Sequence, residues 1–454
     1  MKIARSIQRM RPGLLIIISF TFAALIGAIL LALPAASVDE PLSAVDALFT
    51  ATSAVCVTGL VVVETGSHFT MFGKSVILAL IQLGGLGLMT FSVFLFLFLG
   101  KGLGTRQRWI MTETFTPAPI KKIRKLIKSI FVFTFVAEGI GAASLFFFWY
   151  REMTFTQALY HSVFHSVSAF CNAGFSTYRE SFIQYQGDVW LNMTVMGLIV
   201  AGGIGFPVIY EMRNRLFDLG VKRRPAVSLH TKMVVATTTI LILAGWGLIL
   251  ISESRGEISS ISFKDKLLTA LFQSVTSRTA GFNTLDISRL APGTLFMLVM
   301  LMFVGASPGS CGGGIKTTSL AVFMAIFKNK LAGRRDTSLF KRTIPNDVIS
   351  RALSVFILAV LVVTVGLIAL LITEMTTGHS GNEYFLSYLF EAVSAFGTVG
   401  LSMGITSSLT VAGKLVIIML MMVGRVGLLT VAYVVTRAEH GRHFKYAGEK
   451  VMVG

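Results

Sequence analysis

The chain has 454 residues, 54% of them hydrophobic and only 14% charged, against about 25% charged in an average soluble protein. Apolar runs near the roughly 20 residues that cross a bilayer recur along it, which excludes a soluble globular domain and predicts a polytopic membrane protein. The net charge of +18 does not indicate nucleic acid, because most of the 40 Lys and Arg fall in five clusters, at 2–11, 101–128, 213–232, 328–351 and after 436.

The positive-inside rule places those five clusters in the cytoplasm. Four excursions outward and back then follow, giving eight spanning helices with both termini cytoplasmic. The basic loops read as topology determinants with some contact to anionic lipid. The first apolar run, Leu14 to Leu33, is long for a cleaved signal peptide and is expected to stay as a span.

The chain divides into four repeats, at 1–100, 101–217, 218–330 and 331–437, followed by a cytoplasmic tail at 438–454. Each begins with an apolar span (13–33, 128–150, 230–252, 348–375). Each continues with a shorter apolar half-helix (42–53, 156–168, 263–275, 383–394). A polar, glycine-containing break follows, and a long apolar span returns the chain (74–100, 189–212, 293–327, 411–437). The breaks read "TSAVCVTGL" (52–60), "VSAFCNAGF" (167–175), "VTSRTAGF" (275–282) and "VSAFGTVGL" (393–401). Aligned on Gly59, Gly174, Gly281 and Gly400, they share an aromatic ten residues upstream at Phe49, Phe164 and Phe390, with Phe272 nine upstream after a one-residue deletion. Ser53, Ser168 and Ser394 share a register six residues upstream, and Thr276 aligns with them.

The half-helices are too short to cross a bilayer, so they enter from outside and turn back. Unpaired backbone groups at membrane depth cost several kcal/mol each unless protein or water satisfies them. Four such loops therefore belong around one water-filled axis. Half-helix C-terminal ends favour a cation there, and loop carbonyls can replace its hydration shell. The candidate ion-binding residues are Val57, Thr58 and Gly59; Asn172, Ala173 and Gly174; Thr279, Ala280 and Gly281; and Thr398, Val399 and Gly400, with a cation at the four glycines. Glycine kinks at helix contacts are the alternative, but four registered copies weigh against it. A sodium-coupled symporter with broken helices would carry inverted repeats, whereas these four run in one direction. A membrane enzyme would need clustered acids or nucleophiles, and none is found. A passive cation channel shares every feature and stays open.

The helix–pore–helix unit written four times, with "TSAVCVTGL", "SAFCNAGFS", "TSRTAGFNT" and "SAFGTVGLSMG" as its loops, resembles the Trk/Ktr/HKT superfamily of potassium transporters over almost the whole chain. The first repeat begins almost at once, as in a bacterial KtrB-type membrane subunit. The resemblance implies potassium uptake across the cell membrane, often sodium-dependent, by a homodimer with one pore per protomer. It also implies a separate KtrA-like cytosolic ring that binds nucleotides. The chain itself has no strand-G-x-G-x-x-G-helix unit, so nucleotide is expected on that partner alone. In plant relatives a serine at the first loop's glycine goes with sodium preference; glycine at 59 fits potassium.

The return span of repeat three is interrupted by "GASPGSCGGGIKTTS" (305–319). No ordinary helix tolerates that glycine and proline density, so the segment is expected to be irregular and to face the cavity below the loops. The resemblance assigns this region to a flexible gate, with Gly305, Gly309, Gly312, Gly313, Gly314 and Lys316 as its residues. Arg425 lies mid-span in "MMVGRVGLL". It either closes the path together with that segment or holds loop carbonyls. Arg278 reads as a brace, Asn172 and Asn283 as orienting groups, Glu138 as internally paired, and His161 with His165 as packing. Cys56, Cys171 and Cys311 read as small side chains without metal spacing.

Overall fold

The computed structural model describes residues 12–87, 120–217, 226–334, 336–375, 384–428 and 430–431. Its helices recur in four sets. The first is α1 (Pro12–Leu31), α2 (Ala44–Cys56) and α3 (Met71–Gly85). The second is α4 (Ile120–Trp149), α5 (Phe155–Cys171), α6 (Val189–Gly203) and α7 (Phe206–Phe217). The third is α8 (Leu229–Glu253), α9 (Phe263–Thr276), α10 (Pro292–Phe303) and α11 (Thr317–Leu331). The fourth is α12 (Asn346–Thr373), α13 (Phe385–Gly397) and α14 (Val411–Val426). A hairpin of β1 (Ser338–Leu339) and β2 (Arg342–Thr343) joins the third set to the fourth.

Among the described residues, four helices are long and apolar enough to cross a membrane: the α1, α8 and α12 helices and the Lys128–Trp149 part of α4. Each opens its set. Their outward faces carry bare side chains that water would not tolerate together: Phe22 is 63% exposed, Ile140 68%, Ile251 74% and Ile357 65%. Lipid is the solvent such faces require.

The short helices start where polar caps satisfy their first amide groups. Ser43 accepts from the Asp46 amide at 3.2 Å, and Ser262 from the Asp265 amide at 3.2 Å. Thr154 donates its backbone N–H and its hydroxyl to Gln157 Oε1. The return helices are capped in the same manner by Thr70, Asp188 and Thr410, and Pro292 occupies the first turn of α10. In sets three and four, a buried acid at the end of the outer helix also holds the start of the return helix. Glu253 Oε1 accepts from the Ala291 amide at 3.0 Å, and Glu374 Oε1 from the Thr410 amide at 3.1 Å.

Packing between sets runs in one rotational direction. The return helix of each set lies against the half-helix of the next: α3 on α5, α6 on α9, α10 on α13, and α14 back on α2. The last contact closes a ring. Lys414 on α14 donates to Asp46 on α2 at 2.7 Å across that seam, with the two side chains only 13% and 23% exposed. Asp46→Asn strips this half-buried lysine of its counter-ion. A loss of about 1–2 kcal/mol is expected, read as a drop of a few degrees in the melting temperature of the detergent-solubilised protein.

The half-helices lie within three residues of the expected bounds at either end. The third return span is interrupted, as expected, and the others also carry breaks that were not expected. None is one continuous apolar helix among the described residues. The α3 helix ends at Gly85, and Gly87 takes φ +76°; the expected continuation to residue 100 lies outside the described residues. The α6 and α7 helices meet at 99° around Gly205, whose φ is +94°. The α10 and α11 helices are separated by residues 304–316, and α14 stops at Gly427, φ +95°. The 438–454 tail also lies outside the described residues.

Candidate functional site

Each half-helix ends in a loop of the same backbone shape. Two residues before the aligned glycine, a non-glycine residue takes a left-handed conformation: Val57 (φ 58°), Asn172 (59°), Thr279 (73°) and Thr398 (51°). The glycines follow at φ 93°, 69°, 77° and 92°. Three of the four non-glycine residues are β-branched, for which this conformation is strained by roughly 1–2 kcal/mol each. Strain repeated at four equivalent positions marks a backbone shape held for use rather than for stability.

The serine register holds the loops from behind, in two ways. In the first and fourth loops the glycine amide donates to the hydroxyl, Gly59 to Ser53 and Gly400 to Ser394, both at 3.1 Å. In the second and third, the hydroxyl donates to the carbonyl after the glycine: Ser168 to Phe175 at 2.8 Å and Thr276 to Phe282 at 2.6 Å. Thr276 thus stands in the place its alignment predicts despite the deletion. Phe49, Phe164, Phe272 and Phe390 are all fully buried, anchoring the four half-helices at one level.

The glycines meet at the centre of the ring. A Cβ on Gly59 would overlap the Ala173 carbonyl oxygen, and one on Gly281 that of Val399; one on Gly400 would overlap that of Thr58. A Cβ on Gly174 would stand 2.8 Å from the Ala280 oxygen. The order is loop one on two, two on three, three on four and four on one. Each such Cβ would also lie within 2.9–3.2 Å of a neighbouring glycine Cα. The ring borders a cavity of about 340 Å³ with a mixed polar and apolar lining. All four glycines line it, together with Glu64, Ser176, Tyr178, Glu180 and Thr406. Arg179 and Glu64 pair at 2.9 Å across its rim, linking the segments that leave loops one and two. Burial pushes the Tyr178 hydroxyl up, so it stays neutral at this mouth.

Beneath the loops lies the glycine-rich segment. Residues 304–316 are non-helical, and Thr317 to Ser319, expected in the break, already belong to α11. Val304 and Ile315 bridge in parallel, folding the segment into a closed loop. Its hydrogen bonds reach the second and fourth sets. Ser307 and Cys311 amides donate to the Gly203 and Gly202 carbonyls, both at 3.1 Å, and the Phe206 amide donates to Gly309 at 2.9 Å. The Gly313 amide donates to the Thr398 hydroxyl at 2.9 Å. Lys316 Nζ folds back onto the Gly312 carbonyl at 2.7 Å. A Cβ on Gly305 would overlap the Gly313 oxygen, and Gly314 has φ +66°. Arg425 completes the arrangement, donating to the carbonyls of Cys311 and Gly84. It therefore does hold carbonyls, and one of them belongs to the expected gate segment.

Several other expected residues take structural places. Arg278 is 7% exposed and donates to the Gly305 carbonyl at 3.4 Å, bracing the start of the segment. Asn172 meets the Thr279 hydroxyl at 3.1 Å between loops two and three, and Asn283 donates to Leu285. Glu138 accepts from Gln82 at 3.3 Å. His161 and His165 stack with each other and with Tyr178 behind loop two. The three cysteines are buried and free.

The sequence reading missed the glycines that let the return helices approach. A Cβ on Gly84, Gly202 or Gly424 would overlap the carbonyl of Val55, Phe170 or Phe396, each four residues before a loop glycine. The signal was present as "GGLG", "GGIG" and "GRVG". In each, the first glycine makes the contact and the last turns the backbone.

Four long apolar helices around a ring of short helices and loops that borders a cavity define a multi-pass membrane protein built about that central site. Comparison with known proteins agrees. The model of the family described as "TrkH: Cation transport protein" matches residues 7–446. The chain is 39% identical to the Ktr system potassium uptake protein B of Bacillus subtilis, over 98% of this chain and 97% of that one. It is 37% identical to the potassium/sodium uptake protein NtpJ of Enterococcus hirae, over 98% of each. The crystal structure of the potassium transporter TrkH from Vibrio parahaemolyticus superposes with a TM-score of 0.73 at 20% identity, covering 94% of this chain and 86% of that one. The chain belongs to the TrkH cation transport family.

Proposed function

We propose that this protein carries potassium across the cell membrane, selecting it at the ring of Gly59, Gly174, Gly281 and Gly400. The observation that carries this reading is the cyclic contact of the four loops, each glycine against the next loop's carbonyl, at the edge of a cavity lined by all four glycines. Carbonyls of Thr58, Ala173, Ala280 and Val399 beside those glycines supply the uncharged oxygen dipoles suited to a dehydrated alkali ion. One such ring offers fewer binding positions than a long carbonyl column, so selectivity depends on holding its shape. The names of the relatives in Bacillus subtilis and Enterococcus hirae support potassium as the cargo, and the second adds sodium as a companion ion.

Segment 304–316, with Gly305, Gly309, Gly312, Gly313, Gly314 and Lys316, is the gate, and Arg425 is its latch. The segment's hydrogen bonds to Gly202, Gly203 and Thr398, behind the loops, support this role. The full architecture is eight spans with four half-helices, both ends cytoplasmic, and the return spans cross as broken helices. Two copies form a homodimer, and a KtrA-like cytosolic nucleotide-binding ring acts on the gate from below. The deciding test is uptake of potassium, rubidium and sodium into vesicles holding the purified protein, with and without an imposed voltage. Potassium and rubidium uptake well above that of protein-free vesicles is expected; uptake of neither ion at any voltage removes this reading.

A further inference from the structure

Nine residues before the glycine stand Thr50, His165 and Glu391, and Gln273 takes that place in the deleted third repeat. All four are essentially inaccessible, on the faces of the half-helices behind the loops. Buried groups of this kind are expected to be hydrogen-bonded, and the four differ in that respect.

His165 Nδ1 donates to the His161 carbonyl at 2.8 Å, which leaves Nε2 as an acceptor. It receives the Ser176 hydroxyl at 3.0 Å and the Thr177 amide at 3.3 Å. Ser176 lies two residues after Gly174 and lines the cavity. Glu391 Oε1 accepts from the Thr406 hydroxyl, and the Ser402 hydroxyl meets Thr406 at 3.0 Å. Because the Thr406 proton is committed to Glu391, Ser402 is the donor in that pair. Ser402 lies two residues after Gly400, and with Thr406 it lines the same cavity. The Gly404 amide donates to the Ser402 oxygen at 3.0 Å, fixing the whole exit of loop four.

Loops one and three have no such tie. Val61 holds the position equivalent to Ser176, and Thr50 Oγ1 has no partner among the described residues. Asn283 holds it in loop three but turns to Leu285, and both polar atoms of Gln273 are without partners there. In the cyclic order, two and four are opposite one another.

We propose that His165 and Glu391 are a diagonal pair of positioning residues. Each ties the exit of its own loop to its own half-helix, so that ion discrimination rests on two such quadrants facing across the ring, while the exits of the other two are held only by the segment leaving loop two, Glu64 by Arg179 and Asn283 by Ser181 and Phe182. This deepens the transport reading and rests on it. A fully buried glutamate with one oxygen unpartnered is costly to keep, which a purely structural half-helix could avoid with a leucine.

The test measures potassium affinity and potassium-over-sodium discrimination by vesicle uptake. Glu391→Leu and Thr406→Val should each lower discrimination about tenfold, the scale of one lost hydrogen bond to a carboxyl group. Glu391→Gln keeps an acceptor for Thr406 and should restore it to within about threefold of the unaltered protein. Thr50→Val and Gln273→Leu remove buried polar atoms that hold nothing and should change discrimination less than about twofold. Loss of maximal rate alone, at unchanged discrimination, in both Glu391→Leu and Thr406→Val overturns the proposal. So does an equal loss of discrimination in Thr50→Val. If Glu391→Leu does not reach the membrane, Thr406→Val alone decides. Failure of the unaltered protein to take up potassium would instead count against the transport reading.

Discussion

Alanine in place of Gly281 or Gly400 is expected to reduce potassium uptake by about two orders of magnitude or more, or about 3 kcal/mol of lost ion stabilisation in the path. Two costs act together. Gly281 and Gly400 sit at φ 77° and 92°, where an L side chain costs roughly 1–2 kcal/mol. Their Cβ atoms would also overlap the backbone oxygens of Val399 and Thr58. Backbone oxygens have no rotamer to yield, so the ring itself must open. Because each loop leans on the next, the distortion spreads around the cycle. The matching control is Gly197→Ala, where nothing lies within 4 Å of the added carbon; uptake should stay within about twofold, since alanine is the better helix former. Potassium uptake in Gly281→Ala at the control's level would mean that the ring does not handle the ion.

Arg425→Ala is expected to raise resting potassium flux about tenfold. The arginine donates to carbonyls of the glycine-rich segment 304–316, at Cys311, and of the first return helix, at Gly84. Its removal unties the segment from one side and takes a positive charge from beneath the ring, lowering the barrier to cations. The segment keeps its bonds to Gly202, Gly203 and Thr398, so the fold should survive. Arg425→Lys retains the charge but cannot span both carbonyls with a fork of donors. It should give an intermediate flux. The measurement is initial-rate rubidium uptake without any cytosolic partner. Flux in Arg425→Ala equal to that of the unaltered protein would take the arginine out of the gate.

Much of the site was legible in the residues. The half-helices, the loop glycines, the aromatic register, the aligned Thr276 and the interrupted third return span all follow from local pattern and spacing. Those signals survive because each repeat must solve the same backbone problem in lipid. The breaks in the other return spans were not read, although Gly87, Gly205 and Gly427 stood in plain repeats. Glycine in an apolar span reads equally as a packing contact, and only the positive φ separates a turn from a contact. Partners distant along the chain were also out of reach. Arg425 and Gly84 are 341 residues apart, and Lys414 and Asp46 are 368 apart. No periodicity links them; the closure of the fourth set onto the first does. Glu391 went unnoticed because it stands one residue from an expected aromatic, on a helix whose facing could not be fixed from pattern alone.

Transport of the kind proposed requires that four loop backbones bind one dehydrated alkali ion. A crystal of the protein grown in rubidium and measured at the rubidium absorption edge tests it most directly. An anomalous peak on the ring axis, within about 3 Å of the carbonyl oxygens of Thr58, Ala173, Ala280 and Val399, is the predicted result. Rubidium found only in the outer cavity or at side-chain carboxylates, with the ring vacant at saturating concentration, would contradict the account.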